Sequence, residues 1–379
     1  MGKTKIEWCD ESWNPLSGCS AVSDGCRYCY AERMAHRLKG RHGYPGEKPF
    51  AVTFHRDKLK EPRHWRKARR VFAVSMGDIF HDEISDGLIM WLFWEMAHNW
   101  NQTFLVLTKR PRRMLDWFEK WSNAFEEGDF DPRLAKGPDA IRKAHKARRA
   151  HLFADMLDLW GEPPEGCGFP FYDWMEGIVT WPRTFANIHL GVSVENQKAA
   201  DERIPLLLKT PASVRFVSCE PLLGFVNLEK IDGREFEFDV ISALVKSGPR
   251  RNTIRQFPAL DGVLAGGETG PGARPMHPTW IRSLRDQCLE YDTPFFFKQW
   301  GNWQNGSDFK GKPDRNHIVL TDGTHGRNAE AMGYDAGNAR EWHALEPKHM
   351  SRVGKKRAGR ILDGRTWDDL PKKRISLDG

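Results

Sequence analysis

Three cysteines lie close together near the start of the chain, in the stretch SGCSAVSDGCRYC (17–29). Cys19, Cys26 and Cys29 follow the spacing C-x6-C-x2-C. The C-x2-C pair can present two thiolates to one metal centre from a single tight turn, and Cys19 can join them across a six-residue loop. The chain has 7 cysteines, an odd number, and no apolar leader, which argues against a disulfide framework. These thiols are therefore expected to be reduced and available as metal ligands.

Three interpretations of these cysteines are possible. A structural zinc ion takes four ligands, and Cys9 is the nearest candidate for the fourth. An iron–sulfur cluster also usually takes four cysteines, but a [4Fe–4S] cluster held by three leaves one iron open to substrate or cofactor. The remaining alternative is three buried thiols that only pack. The open cluster is favoured, because it explains both the three ligands and their position at the catalytic rim of the barrel that the strand pattern below predicts. The helix that begins near Tyr30 would also favour thiolates through its positive end.

The elements that must position these cysteines alternate between strand and helix patterns. Short and almost continuously apolar runs are typical of strands buried on both faces. Amphipathic helical patterns, such as residues 86–100 and 277–292, separate them. This alternation predicts an α/β fold, a (β/α) TIM-type barrel that is complete or partial, with a short strand before Cys19 as an eighth strand. The seven runs are residues 50–54, 71–78, 103–111, 188–196, 214–221, 260–268 and 294–301.

Polar side chains follow most of the predicted strands. In a parallel barrel the chemistry takes place at the C-terminal ends of the strands, where the strands run into the following loops. We therefore expect these residues to line one rim together with the three cysteines. They are Ser75, Gly77 and Asp78; Thr108, Lys109 and Arg110; Ser193, Glu195 and Asn196; Ser218 and Glu220; Gly266, Gly267 and Glu268; and Lys298 and Gln299.

The alternation of strands and helices also suggests a division of the chain. Residues 1–301 are expected to form the barrel, with a helical insertion at about 112–187. Beyond residue 301 the alternation stops, and residues 302–379 are expected to form a C-terminal extension with a small hairpin and a basic tail.

The formal net charge of +7 is unevenly distributed. Lys and Arg are concentrated in residues 56–70, 133–150 and 348–379. Basic segments of this kind can follow a phosphate backbone, and they can equally be solvated helix faces. No apolar run is long enough to span a membrane, so we expect a cytoplasmic protein without a membrane partner.

The cysteine stretch resembles the signature of radical S-adenosylmethionine (SAM) enzymes, C-x3-C-x-aromatic-C. Cys26, Tyr28 and Cys29 match its second half, whereas six residues stand where three are usual in its first half. More of the chain resembles a phage- and prophage-encoded family of unassigned function that is regarded as radical-SAM-like. The matching pieces are IEWCDESWNPLSGC, CRYCYAER, GVSVENQ, VSCEPLLG, GGETGPGARPMHPTWIRSLRDQC, PFFFKQWG and VGKKRAGRILDGRTWDDLP, from residue 6 to residue 371.

The resemblance implies a [4Fe–4S] cluster on Cys19, Cys26 and Cys29 whose open iron binds SAM. Reduction by an electron donor such as flavodoxin or ferredoxin would then cleave SAM to a 5′-deoxyadenosyl radical. On this view the cofactor is held by residues of the rim, and some of the same residues are catalytic. The candidate cofactor-binding residues are Tyr28, Ser75, Gly77, Asp78, Thr108, Ser193, Asn196, Gly266, Gly267 and Glu268, and the candidate catalytic residues are Asp78, Lys109, Glu195, Glu220 and Glu268.

The functional hypothesis is a radical enzyme that acts on a nucleobase or nucleic acid, in the host cytoplasm if the protein is phage-encoded. The basic segments and the phage-type resemblance motivate the substrate class. Two alternatives stay open: a barrel that holds a cluster or zinc only for structure or nucleic-acid binding, and a radical enzyme for a protein or small metabolite.

Overall fold

The computed structural model describes residues 4, 6–126, 185–232, 237–239, 244–246, 259–305, 316–335 and 338–373. The strands are β1 Glu11–Trp13, β2 Leu16–Ser17, β3 Thr53–Phe54, β4 Arg70–Ala73, β5 Thr103–Thr108, β6 Ile188–Ser193, β7 Arg215–Cys219, β8 Ile231–Asp232, β9 Glu237–Asp239, β10 Leu244–Lys246, β11 Gly262–Gly266, β12 Phe295–Gln299, β13 Trp303–Asn305, β14 Asn316–Val319, β15 His325–Gly326 and β16 Lys348–Arg352. The α-helices are α1 Tyr30–Leu38, α2 Asp86–His98, α3 Pro111–Glu126, α4 Gln197–Lys209, α5 Pro278–Glu290, α6 Ala339–Ala344 and α7 Lys355–Ala358.

Seven strands form one parallel sheet in the order β1-β4-β5-β6-β7-β11-β12. The strands follow one another in chain order across the sheet, as they do in a (β/α) barrel. The sheet curls into a half-barrel, and β1 and β12 do not pair with each other among the described residues. The prediction of a partial TIM-type barrel is therefore confirmed, and its complete form is wrong.

The run at 50–54 is the predicted barrel strand that does not join this sheet. Thr53 and Phe54 pair antiparallel with Ser17 and Leu16 instead. Hydrogen bonds from Cys19 N to Phe50 O (3.3 Å) and from His55 N to Pro15 O (2.7 Å) extend this pairing. The apolar run thus supports the base of the cysteine loop rather than adding a strand to the barrel.

The two faces of the sheet are buried in different ways. Alternate residues point to opposite faces of a strand. One set, exemplified by Val71, Val106 and Val263, belongs to the large core cluster that includes apolar residues of α2, α4 and α5. The other set consists of Phe72, Leu105, Phe216, Leu264 and Phe296, and Trp8 and Cys9 pack against it. The N-terminal segment therefore fills part of the concave face of the half-barrel.

Two smaller sheets complete the described fold. Residues beyond 301 form a four-stranded antiparallel sheet in the order β13-β16-β14-β15, in which β14 and β15 make a hairpin. Strands β8, β9 and β10 form a three-stranded sheet. Helix α3 covers the start of the predicted insertion, and the rest of that insertion up to residue 184 lies outside the described residues. In the part of the chain that is described, no helix is long and apolar enough to cross a membrane.

Candidate functional site

A cavity of about 410 Å³ opens at the carboxyl edge of the parallel sheet, within the size range of small-molecule sites. All three cysteines line it, so the strand-end loops and the cysteine loop meet there as expected. Glu195, Asn196 and Gly266, which were also predicted at this rim, are not among the lining residues. The predicted residues that do line the cavity are Tyr28, Ser75, Gly77, Asp78, Thr108, Lys109, Arg110, Ser193, Ser218, Glu220, Gly267, Glu268, Lys298 and Gln299.

Two cations lie beside the thiols. Lys109 Nζ is 3.7 Å from Cys26 Sγ, and Arg110 Nη1 is 3.3 Å from Cys19 Sγ. Burial opposes ionisation of the Cys26 thiol, but Lys109 and backbone donors outweigh it and hold the pKa below its ordinary value. Burial and the nearby Asp78 carboxylate raise the pKa of Cys19 to about 11 despite Arg110. Lys109 therefore favours the thiolate of Cys26, whereas Arg110 offsets only part of the effect of burial and of Asp78 on Cys19.

Glu195, at the end of β6, connects the cysteine loop to the sheet. One carboxylate oxygen, Oε1, is 2.6 Å from Lys109 Nζ and accepts a hydrogen bond from Ser23 Oγ at 2.8 Å. The other, Oε2, is 2.9 Å from Arg203 Nη1. Burial opposes ionisation, but Lys109 and Arg203 lower the pKa of this carboxylate overall. A Cβ at Gly25 would lie 2.5 Å from the Glu195 side chain, so the glycine allows the loop to approach this closely.

The Asp78 carboxylate is surrounded by protein donors. It accepts hydrogen bonds from Thr108 Oγ1 at 2.7 and 2.9 Å, from the Lys109 backbone N–H at 3.1 Å and from Phe80 N–H at 3.0 Å. Arg110 Nη1 is 3.4 Å away and forms an ion pair with it. Asp78 and Thr108 thus fix the ends of β4 and β5 to each other, and they keep Arg110 beside Cys19.

The loop that follows β4 reaches the cavity through strained and close-packed backbone. Val74 has φ +58°, which is unfavourable for a β-branched residue. Asn14 Oδ1 accepts hydrogen bonds from Ser75 Oγ (3.1 Å) and Met76 N–H (3.0 Å) and stabilises the turn. A Cβ at Gly77 would lie 2.8 Å from Gly18 O, so Gly77 permits contact with the cysteine loop.

Glu220 differs from the other predicted carboxylates. Its Oε2 lies 3.2 Å from Lys298 Nζ and 3.4 Å from both Trp8 Nε1 and Ser218 Oγ. Its Oε1 is buried and has no hydrogen-bond partner among the described residues. A buried acceptor without a partner costs free energy unless a ligand supplies a donor. Glu220 is therefore the rim carboxylate best suited to contact a bound molecule.

The loop after β11 clamps the cysteine loop from the other side. Arg274 donates Nε to Glu268 Oε2 (2.9 Å) and Nη2 to Glu268 Oε1 (2.7 Å), and also donates Nη2 to the Asp24 carbonyl (2.9 Å). Its guanidinium lies 5.5 Å from the centre of the Tyr28 ring. A Cβ at Gly272 would lie 2.5 Å from that ring. Tyr28, the aromatic residue of the cysteine signature, is thus held by this loop.

Three of the predicted cofactor-binding residues have other local roles. The Asn196 side chain accepts from Ala199 N–H at 3.0 Å and caps the N-terminus of α4. Gly266 leaves room for Glu220 Oε1, which would lie 3.1 Å from a Cβ at this position. Gly267 lies in the cavity wall, and a Cβ there would lie 2.3 Å from Trp300 O.

Among the described residues, Cys9, Cys219 and Cys288, and His81 of the segment DIFHDE (78–83), do not line the cavity. Cys9 packs beside Trp8 and Phe72 and does not line the cavity, and burial raises its pKa to about 12. Cys219 is fully buried, and burial raises its pKa well above the ordinary value. His81 Nε2 is 2.8 Å from Ser20 Oγ and so contacts the cysteine loop. Within the described ranges, no group of three or more His, Cys, Asp and Glu is arranged to hold a single metal ion.

Sequence reasoning missed several residues that support the site. Arg203 is buried on α4 and reaches Glu195, and Arg33 on α1 lines the cavity and donates to Thr269 O at 3.2 Å. Arg203 lies on α4, which begins two residues after Glu195, and this short separation is the signal that could have placed the two side chains near each other. No comparable signal pairs Trp8 with Glu220, because more than two hundred residues separate them.

Fold and site together define an α/β half-barrel protein whose three-cysteine loop opens on a cavity at the carboxyl edge of its sheet. The chain belongs to the family described as "Protein of unknown function (DUF5131)", whose model matches residues 3–371. Neither a curated protein nor a solved structure matches the chain.

Proposed function

We propose that this protein is an iron–sulfur enzyme of the radical SAM type that acts on a nucleobase or nucleic acid in the cytoplasm. The observation that carries the proposal is the opening of three cysteine side chains on one cavity at the catalytic edge of a (β/α) half-barrel. Glu220, which has one carboxylate oxygen without a hydrogen-bond partner among the described residues, also lines this cavity.

The donor set fits a cluster better than a single ion. Four-coordinate zinc would need a fourth ligand, and Cys9 is buried away from the cavity. A [4Fe–4S] cluster is larger than one ion, so its thiolates stand further apart and need not converge on a point. Cys19, Cys26 and Cys29 would hold the cluster, and Lys109 and Arg110 would compensate the negative charge on its sulfurs. When bound, the cluster and SAM would together supply a 5′-deoxyadenosyl radical on one-electron reduction.

The side chains of this protein would then bind and orient SAM and shield it from water. Glu220 Oε1 offers an acceptor for the ammonium or a ribose hydroxyl of SAM, and Ser75 and Ser193 add polar groups to the same wall. Glu195 and Asp78 act indirectly, because they position Lys109, Arg110 and the cysteine loop. Trp8 and Phe72 line the apolar part of the cavity and keep water from that side.

Incubation of the anaerobically reconstituted protein with SAM and a strong reductant tests the proposal. We expect 5′-deoxyadenosine from the wild type, and none from Cys19→Ala, Cys26→Ala or Cys29→Ala. Cys9→Ala serves as the control and should keep the activity, because Cys9 lies outside the cavity. Absence of product from wild-type protein that is fully loaded with cluster would favour a structural or nucleic-acid-binding role for the metal.

A further inference from the structure

A second cavity, of about 680 Å³, adjoins the cysteine cavity. Tyr28 lines both. The second cavity lies where the cysteine loop and the loop after β11 meet the C-terminal antiparallel sheet, to which Trp303 and His317 belong. It is thus formed by the elements that clamp the cysteine loop and by the C-terminal extension.

The charge of this second cavity is strongly positive. Four arginines line it, and its lining includes no carboxylate. Glu268 neutralises Arg274 through the bidentate pair described above. No carboxylate among the described residues lies within ion-pair distance of Arg27, Arg327 or Arg352. Arg27 and Arg327 are exposed, so a ligand can reach their guanidinium groups.

Two histidines in the wall of the second cavity have lowered pKa values, in part because of its arginines. His317 and His325 lie with their ring centres 5.5 Å apart. Burial is the main cause that lowers the pKa of both rings. The pKa of His317 is lowered further by His325 and Arg327, and the pKa of His325 is lowered further by Arg274. Glu268 pairs only with Arg274, so the positive charge of Arg27, Arg327 and Arg352 is not compensated by a carboxylate of the described residues. An anion binds strongly under this condition.

We propose that this second cavity binds phosphate groups of a nucleic-acid strand. The planar guanidinium fork suits phosphate oxygens, and arginines from three separate segments can contact more than one phosphate. Because Tyr28 lines both cavities, a nucleotide adjacent to the bound phosphates would lie near the cysteine cavity. The inference rests on the nucleic-acid substrate of the proposed function, but not on radical chemistry.

Equilibrium binding of fluorescently labelled single-stranded DNA and RNA, measured by anisotropy over a salt series, tests this inference. Arg327→Ala should weaken binding several-fold and reduce the slope of log affinity against log salt by about 0.7. The Arg27→Ala/Arg327→Ala double variant should weaken binding further. Arg340→Ala removes an exposed arginine of α6 that does not line this cavity, and it should leave binding unchanged.

Competition with unlabelled ligands and binding measurements on further variants distinguish a strand-binding site from the alternatives. Unlabelled oligonucleotide should displace the probe at far lower concentration than a free nucleotide or inorganic phosphate, and the reverse order would overturn the assignment to a strand. Wild-type affinity in the double variant, or a loss confined to Arg66→Ala/Lys67→Ala in the basic segment 56–70, would also overturn it. Thermal unfolding checks that the variants are folded. Binding that depends on Arg327, together with no 5′-deoxyadenosine, would retain this site and reject the radical chemistry.

Discussion

Glu195 shows how a buried charge can act on a site that it does not line. Its carboxylate is 2 % exposed and lies between Lys109 and Arg203, and it also receives the Ser23 hydroxyl from the cysteine loop. Such a charge is stable only while its partners remain, because desolvation alone would disfavour it strongly. We therefore assign Glu195 a positioning role, and Lys109 carries its effect to Cys26.

Glu195→Gln should destabilise the protein by about 3 kcal/mol, because it leaves the buried Arg203 and the half-buried Lys109 without their shared carboxylate. The folded pKa of Glu195 is lowered, so its stabilisation is complete above the ordinary Glu pKa of about 4.3 and is lost as the pH falls towards the lower folded value. Urea unfolding at about pH 7 and about pH 4 measures this. The difference in the free energy of unfolding between variant and wild type should be smaller at the lower pH. An equal difference at both pH values would contradict the assignment.

Glu220 is assigned the opposite role, a direct contact with the bound cofactor through its free Oε1. Glu220→Gln should keep the iron content but weaken SAM binding about ten-fold, because a charged hydrogen bond becomes a neutral one. Isothermal titration of the reconstituted protein measures the affinity. Glu290→Gln, an exposed change at the end of α5, is the matched control. Unchanged affinity in Glu220→Gln would remove Glu220 from the binding residues.

At the scale of elements, helix caps and loop clamps position the site. Ser85 and Asn196 cap α2 and α4, the helices that follow the strand ends β4 and β6. The Glu268–Arg274 pair connects the loop after β11 to the cysteine loop through the Asp24 carbonyl. The cysteine loop is thus held on one side by Glu195 and on the other by Arg274.

Asn196→Ala should cost about 1 kcal/mol through the lost cap, and Asn196→Asp should retain most of that stability. Because Asn196 does not line the cavity, neither variant should change SAM affinity once folded. Thermal unfolding and titration with SAM give the two readings. A loss of SAM affinity at unchanged stability would instead support the cofactor-binding role that the sequence predicts for Asn196.

Arg274→Lys should loosen the cysteine loop, because lysine cannot make the bidentate pair with Glu268 and also reach Asp24 O. Hydrogen exchange in residues 20–29 should become several-fold faster, with lower iron retention. Arg282→Lys alters a similar bidentate pair, with Asp363, in an exposed position and is the control. Equal exchange rates in the two variants would argue against the clamp.

The sequence predicted the sheet strands well, and the reason is that both faces are buried. An apolar run does not specify its partner, however: Thr53 and Phe54 of the run 50–54 pair with β2 and are only half-buried, unlike the strands of the main sheet. Most of the polar residues predicted at strand ends line one cavity, but Glu195, Asn196 and Gly266 do not. Their roles could not be read from the sequence, because the donors that occupy Asp78 and Glu195 come partly from other strand ends, Thr108 and Lys109. Glu220 differs in that its Oε1 has no partner among the described residues.

In the whole molecule, two cavities share Tyr28. The half-barrel supplies the cysteine cavity at its carboxyl edge. In the second cavity, the C-terminal extension adds Arg327 and Arg352 to Arg27 of the cysteine loop and Arg274 of the loop after β11. Not all of the basic segments remain available for a partner. Arg63, Arg69 and Arg70 of segment 56–70 form ion pairs with Glu95, Glu11 and Asp10, and segment 133–150 lies outside the described residues.

The central claim is that the three-cysteine loop holds a cluster with one iron open to SAM. Electron paramagnetic resonance of the anaerobically reconstituted and reduced protein, recorded with and without SAM, tests it most directly. We expect a [4Fe–4S] signal that requires Cys19, Cys26 and Cys29 and that changes when SAM is added. A protein that contains zinc and gives no cluster signal, or a cluster signal that SAM leaves unchanged, would contradict it.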